Sequence, residues 1–220
     1  MYTPAAIIFN IVYTVFAQEG GFCIKVLGLV GSPNSNGNTA KLVKEILTGA
    51  SDKGATTQLY NLAALKIKGC NACFRCQTEG KCATKDEMQQ LYAAILDSEA
   101  LVLGTPVYMW QMSAQTKLFV DRLMALMNPD FSSRLEKKKK LILAFTQGNS
   151  NPGSFMSYIE YTAGLFYFLG FEVQDTILAS GTDQTEISEQ PEVLVKAREL
   201  GRELGTLSSK GSGKTLQIEK

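Results

Sequence analysis

Four of the five cysteines lie close together, in a segment that could bind a metal centre. They are Cys70, Cys73, Cys76 and Cys82, in the pattern C-x2-C-x2-C-x5-C. A disulfide framework would spread its cysteines along the chain, whereas thiols this close together are typical of metal ligands or redox-active groups in a reducing compartment. The first three can wrap three corners of a cubane iron–sulfur cluster, and Gly80 lets the chain turn back to deliver the fourth. Zinc held by four thiolates and a redox-active thiol set stay open as alternatives. The isolated Cys23 is expected to be a buried, small apolar residue.

A polar loop at residues 31–39, GSPNSNGNT, follows an apolar run and opens directly into a predicted helix. Gly31 and Gly37 let the backbone approach a ligand closely, and the exposed N–H groups of a helix start attract an anion. Five side chains can each donate a hydrogen bond: Ser32, Asn34, Ser35, Asn38 and Thr39. Because the loop contains no Lys or Arg, a phosphate would be held by neutral dipoles. The alternative is an ordinary Asn/Ser turn in which Asn38 caps the helix.

The composition limits the chemistry that the chain can perform. It contains no histidine, which excludes Ser-His-Asp and Cys-His nucleophiles, histidine-ligated zinc and histidine proton shuttles. The 22 Lys and Arg residues nearly balance the 21 Asp and Glu residues, so charge gives no reason to expect a nucleic acid or an anionic membrane as partner. No side chain stands out as an acid–base catalyst, and no catalytic residue is assigned. Any chemistry must come from the cysteines, carboxylates, hydroxyls, the backbone or a bound cofactor.

Apolar runs and helical stripes alternate along the chain and must position these segments. Five runs predict strands: 24–30, 56–62, 100–106, 141–146 and 171–179. Five stripes predict helices: 39–50, 88–96, 119–127, 154–169 and 193–204. The alternation predicts an α/β fold with a doubly wound, five-stranded parallel sheet and right-handed crossovers. Such sheets bind ligands beyond the carboxyl ends of their strands, which favours the loops after strands one, three and four.

The chain is expected to form one domain at residues 24–206, with the cysteine loop at 69–83. Residues 1–23 are interpreted as an N-terminal extension and 207–220 as a polar, Gly/Ser-rich tail. The apolar stretch at 5–17 is too short to span a bilayer, and no Lys or Arg precedes it as in an export signal. We therefore expect a cytoplasmic protein without a membrane segment.

Three segments together resemble the flavodoxin-like NAD(P)H-dependent FMN reductase family and, more narrowly, the iron–sulfur flavoproteins. They are GSPNSNGNTAKL at 31–42, GTPVYMWQMSAQTKLFVDR at 104–122 and GCNACFRCQTEGKC at 69–82. The resemblance extends from about Ile24 to Leu204. It implies a flavodoxin-like sheet with strand order 2-1-3-4-5 and an FMN cofactor. It also implies that the four clustered cysteines ligate a [4Fe–4S] cluster.

The resemblance assigns residues to the parts of FMN. The phosphate would be held by Ser32, Asn34, Asn38 and Thr39. The isoalloxazine ring would be contacted after strand three by Pro106, Val107, Tyr108, Met109 and Trp110, and after strand four by Thr146, Gln147 and Gly148. Pro106 is expected to fix the turn after strand three. Tyr108 and Trp110 can also belong to a subunit interface, where such side chains are common.

The resulting hypothesis is an FMN-dependent oxidoreductase in which electrons pass between a [4Fe–4S] cluster and FMN. The alternative is a cluster-free NAD(P)H-dependent FMN or quinone reductase that keeps its cysteines without metal. An electron carrier without a substrate of its own and a metal–thiol sensor are further alternatives. The expected partners are NAD(P)H, a ferredoxin-like protein or a quinone, and the resemblance implies a homodimer or homotetramer.

Overall fold

Parallel strands form the central sheet of the protein, which a computed structural model describes for residues 24–206. The strands are β1 (Lys25–Val30), β2 (Thr56–Asn61), β3 (Ala100–Tyr108), β4 (Gln111–Met112), β5 (Lys139–Thr146) and β6 (Phe171–Ala179). The sheet order is β2-β1-β3-β5-β6 with every pairing parallel, and the short β4 pairs antiparallel with the end of β3. The predicted five-stranded, doubly wound sheet is confirmed, and its order 2-1-3-4-5 is the observed one when β4 is left out of the numbering.

Helices cover both faces of this sheet. They are α1 (Asn38–Ser51), α2 (Arg75–Glu79), α3 (Met88–Asp97), α4 (Ala114–Arg122), α5 (Met156–Phe168) and α6 (Pro191–Gly205). Short 3₁₀ turns lie at Leu62–Ala64, Leu123–Leu126, Pro152–Phe155 and Ile187–Glu189. Helices α1 and α6 pack on one face, and α3, α4 and α5 pack on the other. Within residues 24–206, every helix is too short or too polar to cross a bilayer.

The strand β1 joins the two layers. Leu27 and Leu29 pack in the layer of α3, α4 and α5, whereas Val26 and Val30 pack in the layer of α1 and α6. Successive side chains of a strand alternate between the faces of a sheet, which explains this division. All four are at most 1% exposed, so the apolar run of β1 is buried on both faces, as its sequence predicted.

Helices α1 and α6 approach each other closely through two glycines. A Cβ atom on Gly201 would lie 1.8 Å from a carbonyl oxygen of α1, and one on Gly49 would lie 2.1 Å from the carbonyl oxygen of Arg198. The guanidinium of Arg198 also pairs with Asp52 at 2.7 Å. A hydrogen bond from Arg198 lowers the pKa of Asp52 below its usual value, so this pair stabilises the packing of the two helices while Asp52 is ionised.

Two helical segments differ from their predicted bounds for local reasons, and a third was not predicted. The stripe predicted at 154–169 divides into the turn Pro152–Phe155 and α5, because the side chain of Asn151 accepts a hydrogen bond from Gly153 N and caps that turn. The stripe predicted at 119–127 is the end of α4 followed by a 3₁₀ turn. The five-residue α2 has no apolar stripe to predict it and is bounded by left-handed backbone at Phe74 and Gly80. The predictions for residues 1–23, including Cys23, and for 207–220 lie outside the described residues and stay predictions.

Candidate cofactor site and cysteine loop

The loop after β1 ends in a helix start with open backbone donors. The first helical hydrogen bond runs from Lys41 N to Gly37 O at 3.0 Å, so the N–H groups of Asn38, Thr39 and Ala40 have no acceptor within α1. Gly37 occupies the N-cap position and no side chain caps the helix. The alternative that Asn38 is the N-cap is therefore wrong. These open N–H groups lie at the positive end of the helix dipole, an arrangement that favours an anion.

The first three predicted phosphate donors lie in the turn before this helix. Ser32 is 4% exposed, and its hydroxyl oxygen accepts a hydrogen bond from Asn34 N at 3.2 Å. The side-chain oxygen of Asn34 accepts from Asn36 N at 3.0 Å, which closes an Asx turn. Ser35 is exposed, and its carbonyl oxygen accepts from Lys44. The hydroxyl hydrogens of Ser32 and Ser35 and the amide of Asn34 thus stay available to a ligand.

Asn38 ties the start of α1 to the loop that follows β6. Its amide nitrogen donates to Thr182 O at 3.3 Å, and its amide oxygen accepts from Ile187 N at 3.0 Å. The Asn38 side chain therefore joins two distant parts of the fold, besides its predicted contact with phosphate. These hydrogen bonds join residues about 145 positions apart, and no local pattern could have predicted them.

Thr39 and Thr146, predicted to contact different parts of a cofactor, contact each other. Their hydroxyl oxygens are 2.7 Å apart, and the residues are 3% and 4% exposed. A single hydrogen joins two hydroxyls, so the second hydroxyl hydrogen remains free for an outside acceptor. The pair links the end of β5 to the first turn of α1.

A buried network of hydroxyl groups fixes the loop after β1 to the loop after β3. Ser113 Oγ donates to Gly31 O at 2.5 Å and lies 2.9 Å from the hydroxyl of Thr116, which in turn donates to Thr105 at 2.9 Å. The three side chains are at most 2% exposed. Space is so limited that a Cβ atom on Gly31 would lie 1.8 Å from Thr116 Oγ1. Sequence reasoning missed this network, although a serine directly before a helix, as Ser113 is before α4, is an N-cap signal.

The hairpin between β3 and β4 carries exposed apolar side chains on a strained turn. Met109 and Trp110 have φ values of 45° and 67°, the left-handed backbone of a two-residue hairpin turn in which glycine and asparagine are usual. Tyr108, Met109 and Trp110 are 50%, 84% and 67% exposed. The ring of Trp110 meets Phe155 edge to face, with ring centroids 6.4 Å apart. Such exposed apolar surface beside the carboxyl ends of the strands can cover a flat ligand.

Pro106 does not fix this turn. It lies inside β3, paired in register with Thr146, and the chain turns three residues later. Val107 follows it in the strand, half-buried and paired with Met112 of β4. The expectation for Pro106 was wrong because β3 extends beyond its apolar run and folds back on β4.

Gln147 and Gly148 lie against the loop that follows β6. The amide nitrogen of Gln147 donates to Asn149 O at 2.9 Å and Asn151 O at 2.8 Å, and the residue is 2% exposed. Its amide oxygen is buried and has no hydrogen-bond partner among residues 24–206. At Gly148, a Cβ atom would lie 2.0 Å from a carboxylate oxygen of Asp183. These two residues therefore shape their own loop and are more enclosed than the hairpin residues.

The four clustered cysteines are free thiols on a loop with little regular structure. Cys70 and Cys73 are exposed, while Cys76 and Cys82 are half-buried. Their number and type fit an iron–sulfur cluster. Their placement does not yet bring them together, because no three His, Cys, Asp or Glu side chains of the described chain surround a common metal position. The four thiols are thus suitable ligands for a cluster. The loop would have to bring them together before they could bind one.

Cys82 lies in the most distinctive environment of the four. Burial alone would raise the pKa of its thiol, but a hydrogen bond from the backbone of Thr84 and the charge of Arg122 together lower it. A lowered pKa favours the thiolate, which is the form that binds a metal. Burial also raises the pKa of the neighbouring Tyr92, whose hydroxyl donates to Arg122 O at 2.7 Å and so stays protonated.

Comparisons with known proteins agree with this geometry. A family model described as NADPH-dependent FMN reductase matches residues 24–163. An iron–sulfur flavoprotein of Methanocaldococcus jannaschii is 36% identical over 99 residues, which cover 45% of this chain and 51% of that protein. One of Methanosarcina thermophila is 28% identical over 130 residues, covering 59% and 66%. The chain thus spans about half the length of the first curated relatives it matches.

A solved structure shows the same fold. The NAD(P)H:quinone oxidoreductase from Methanothermobacter marburgensis superposes with a TM-score of 0.67 at 15% identity, over 85% of this chain and 100% of that one. At this identity the likeness establishes the arrangement of strands and helices.

Proposed function

The chain belongs to the NADPH-dependent FMN reductase family, and on this premise we propose that it is a flavin-dependent oxidoreductase. FMN binds at the carboxyl ends of β1, β3 and β5. The observation that carries the proposal is the set of open N–H groups at the start of α1, beside the buried hydroxyl of Ser32. A neutral, donor-rich helix start of this kind suits a phosphate monoester.

Different residues of the three loops bind different parts of FMN. Ser32, Asn34, Ser35, Asn38 and Thr39, with the N–H groups of α1, hold the phosphate. The isoalloxazine ring is surrounded by residues of the other two loops: Pro106, Val107, Tyr108, Met109, Trp110, Thr146, Gln147 and Gly148. Bound FMN supplies the redox chemistry, since it accepts and donates both single electrons and pairs. The exposed hairpin shields one side of the ring from water, and the hydroxyl of Tyr158, which accepts from Met112 N at 2.9 Å, holds the hairpin in place.

The phosphate assignment is tested by removing donors. Asn38→Leu with Thr39→Val should weaken FMN binding, because two side-chain donors disappear from the start of α1. Asn36→Leu is the matched control, since this side chain lies in the same loop and is assigned no contact with FMN. Flavin fluorescence titration of the apo-protein measures both. FMN binding that is the same in the double variant and the control would contradict the assignment.

A finer proposal concerns the cysteine loop, residues 69–83. We propose that Cys70, Cys73, Cys76 and Cys82 hold a [4Fe–4S] cluster, which would exchange single electrons with FMN. Three findings support it: the four free thiols, the lowered pKa of Cys82 and the similarity to iron–sulfur flavoproteins. The competing function is a cluster-free NAD(P)H-dependent FMN or quinone reductase, which is favoured by the separation of the thiols.

An anaerobic assay separates these two functions. After incubation with ferrous iron and sulfide, the cluster proposal predicts about four iron and four sulfide per chain. Cys76→Ala should lose this iron while retaining FMN, and Thr78→Ala, on the same short helix, should keep both. Iron content that does not fall in Cys76→Ala contradicts the ligand assignment, and a native protein that takes up FMN alone supports the cluster-free reductase.

The electron donor, acceptor and assembly belong to the same proposal. NAD(P)H is proposed as donor and a quinone or a ferredoxin-like protein as exchange partner, in a cytoplasmic homodimer or homotetramer with no nucleic acid bound. The domain is proposed to span residues 24–206. Turnover of NAD(P)H with a quinone distinguishes an enzyme from an electron carrier. Light scattering after size exclusion gives the number of subunits, and a monomer would contradict the proposed assembly.

A further inference from the structure

One arginine joins both ends of the cysteine loop. Arg122, the last residue of α4, is 2% exposed. Its guanidinium binds both carboxylate oxygens of Asp86, at 2.7 and 3.1 Å. It also donates to Lys68 O at 2.8 Å and Thr84 O at 3.3 Å. Lys68 precedes the first cysteine of the loop by two residues, and Thr84 follows the last by two.

The other groups at this point strengthen the closure. Lys68 N donates to Asp86 at 2.9 Å, and Lys66 N donates to Glu87 at 2.5 Å. The Arg122–Asp86 pair is nearly dry, with side chains 1% and 3% exposed. A paired charge that has left water is held by its partner, because removal of either partner leaves an uncompensated buried charge. The base of the loop is therefore its most firmly held part.

Beyond its base, the loop has fewer attachments. In its middle, Arg134 donates to Cys76 O at 2.7 Å and to Gln77 O at 3.1 Å. The cysteine segment before α2 has no regular secondary structure, and Cys70 and Cys73 are exposed. The separation of the first and last thiols is thus set by where the two chain ends are held, and the guanidinium of Arg122 holds both.

We propose that Arg122 is a positioning residue of the cysteine loop, which closes its base on Asp86, Lys68 and Thr84 so that the thiols can bind one metal centre together. The inference rests on the proposed cluster and adds a residue outside the cysteine motif to its assembly. Arginine is required because its planar fork reaches four oxygens at once, which the single ammonium of a lysine cannot do.

The test compares three variants in the full chain. Arg122→Lys keeps a positive charge opposite Asp86 and so protects the fold. Arg122→Met with Asp86→Asn removes the buried charges altogether, which protects the fold by a second route. Lys117→Gln is the control, because it breaks only the exposed pair of Lys117 with Asp121 on the same helix.

Two measurements decide the proposal. Amide hydrogen exchange of the apo-protein should be at least tenfold faster across residues 66–87 in both Arg122 variants, and within twofold of native in α1 and in the control. Iron uptake, and the visible absorbance of the bound cluster, should fall at least threefold in both Arg122 variants. Their FMN uptake should stay within twofold of the native protein. Loop exchange within twofold of native, acceleration spread evenly over the chain, or unchanged iron uptake would each overturn the proposal. A native protein that binds no iron refutes the cluster itself, and the exchange data then decide only whether Arg122 holds the two ends of the loop.

Discussion

The contact between Thr39 and Thr146 allows a double-mutant cycle that separates stability from cofactor binding. Thr39→Val and Thr146→Val each leave the other hydroxyl buried without its partner, at positions 4% exposed or less. An unpaired buried hydroxyl costs about 1–3 kcal/mol of unfolding free energy. The double variant replaces both partners with groups of the same shape, so its unfolding free energy should return to within about 1 kcal/mol of native.

FMN affinity should follow a different pattern. The second hydroxyl hydrogen of the pair is free for a phosphate oxygen, and a hydrogen bond to a charged group contributes about 1.5–3 kcal/mol. FMN should therefore bind about tenfold to a hundredfold more weakly to the double variant, although its stability is restored. Urea unfolding of the apo-protein and flavin fluorescence titration measure the two quantities. A double variant that is stable and binds FMN as tightly as native would refute a role for either hydroxyl in binding.

Three further predictions concern the elements that support the site. Gly31→Ala should lower stability by about 1–3 kcal/mol and weaken FMN binding, because its Cβ would collide with Thr116; equal thermal midpoints for variant and native would contradict this. Met109→Gly should raise stability by about 1 kcal/mol in urea unfolding, since it relieves a left-handed backbone at an exposed side chain, and a loss would count against strain there. The lowered pKa of Asp52 gives stability that is present above about pH 4 and is lost as pH falls through the folded pKa. In Asp52→Asn, the free energy of unfolding should therefore decline less steeply below about pH 4. A decline as steep as in the native protein would exclude the Asp52–Arg198 pair as a cause of it.

The sheet, and the edge at which we propose that FMN binds, could be predicted from the sequence because their signals are local. An apolar run such as 24–30 is short and lacks the polar alternation of a half-buried strand, which favours a strand buried on both faces. The polar loop at 31–39 comes directly after it, and the helix start that follows, with its open N–H groups, needs no long-range information to be located.

Contacts between distant residues could not be predicted in this way. Ser113 and Gly31 are 82 positions apart, and a serine before a helix has the same local sequence whether its hydroxyl caps that helix or also binds another loop. Arg122 could not be predicted either, because an arginine at the end of a helix is usually an exposed, positively charged side chain. Only the fold brings it to Asp86, 36 positions away, and to the backbone at both ends of the cysteine loop.

The turn at Met109 and Trp110 escaped prediction for another reason. Neither residue is the glycine or asparagine that usually marks a tight hairpin, so the local sequence gave no turn signal there. Strained backbone of this kind persists where the surrounding structure enforces it, and such sites are often functional. The hairpin thus lies where the proposed flavin ring needs a cover.

The central claim is that neutral donors at the start of α1 bind the phosphate of FMN. Titration of the apo-protein with FMN and with riboflavin, which lacks the phosphate, tests it most directly. The account predicts one FMN bound per chain and an affinity for riboflavin at least tenfold weaker. Equal affinity for the two flavins, or no binding of either, would contradict it.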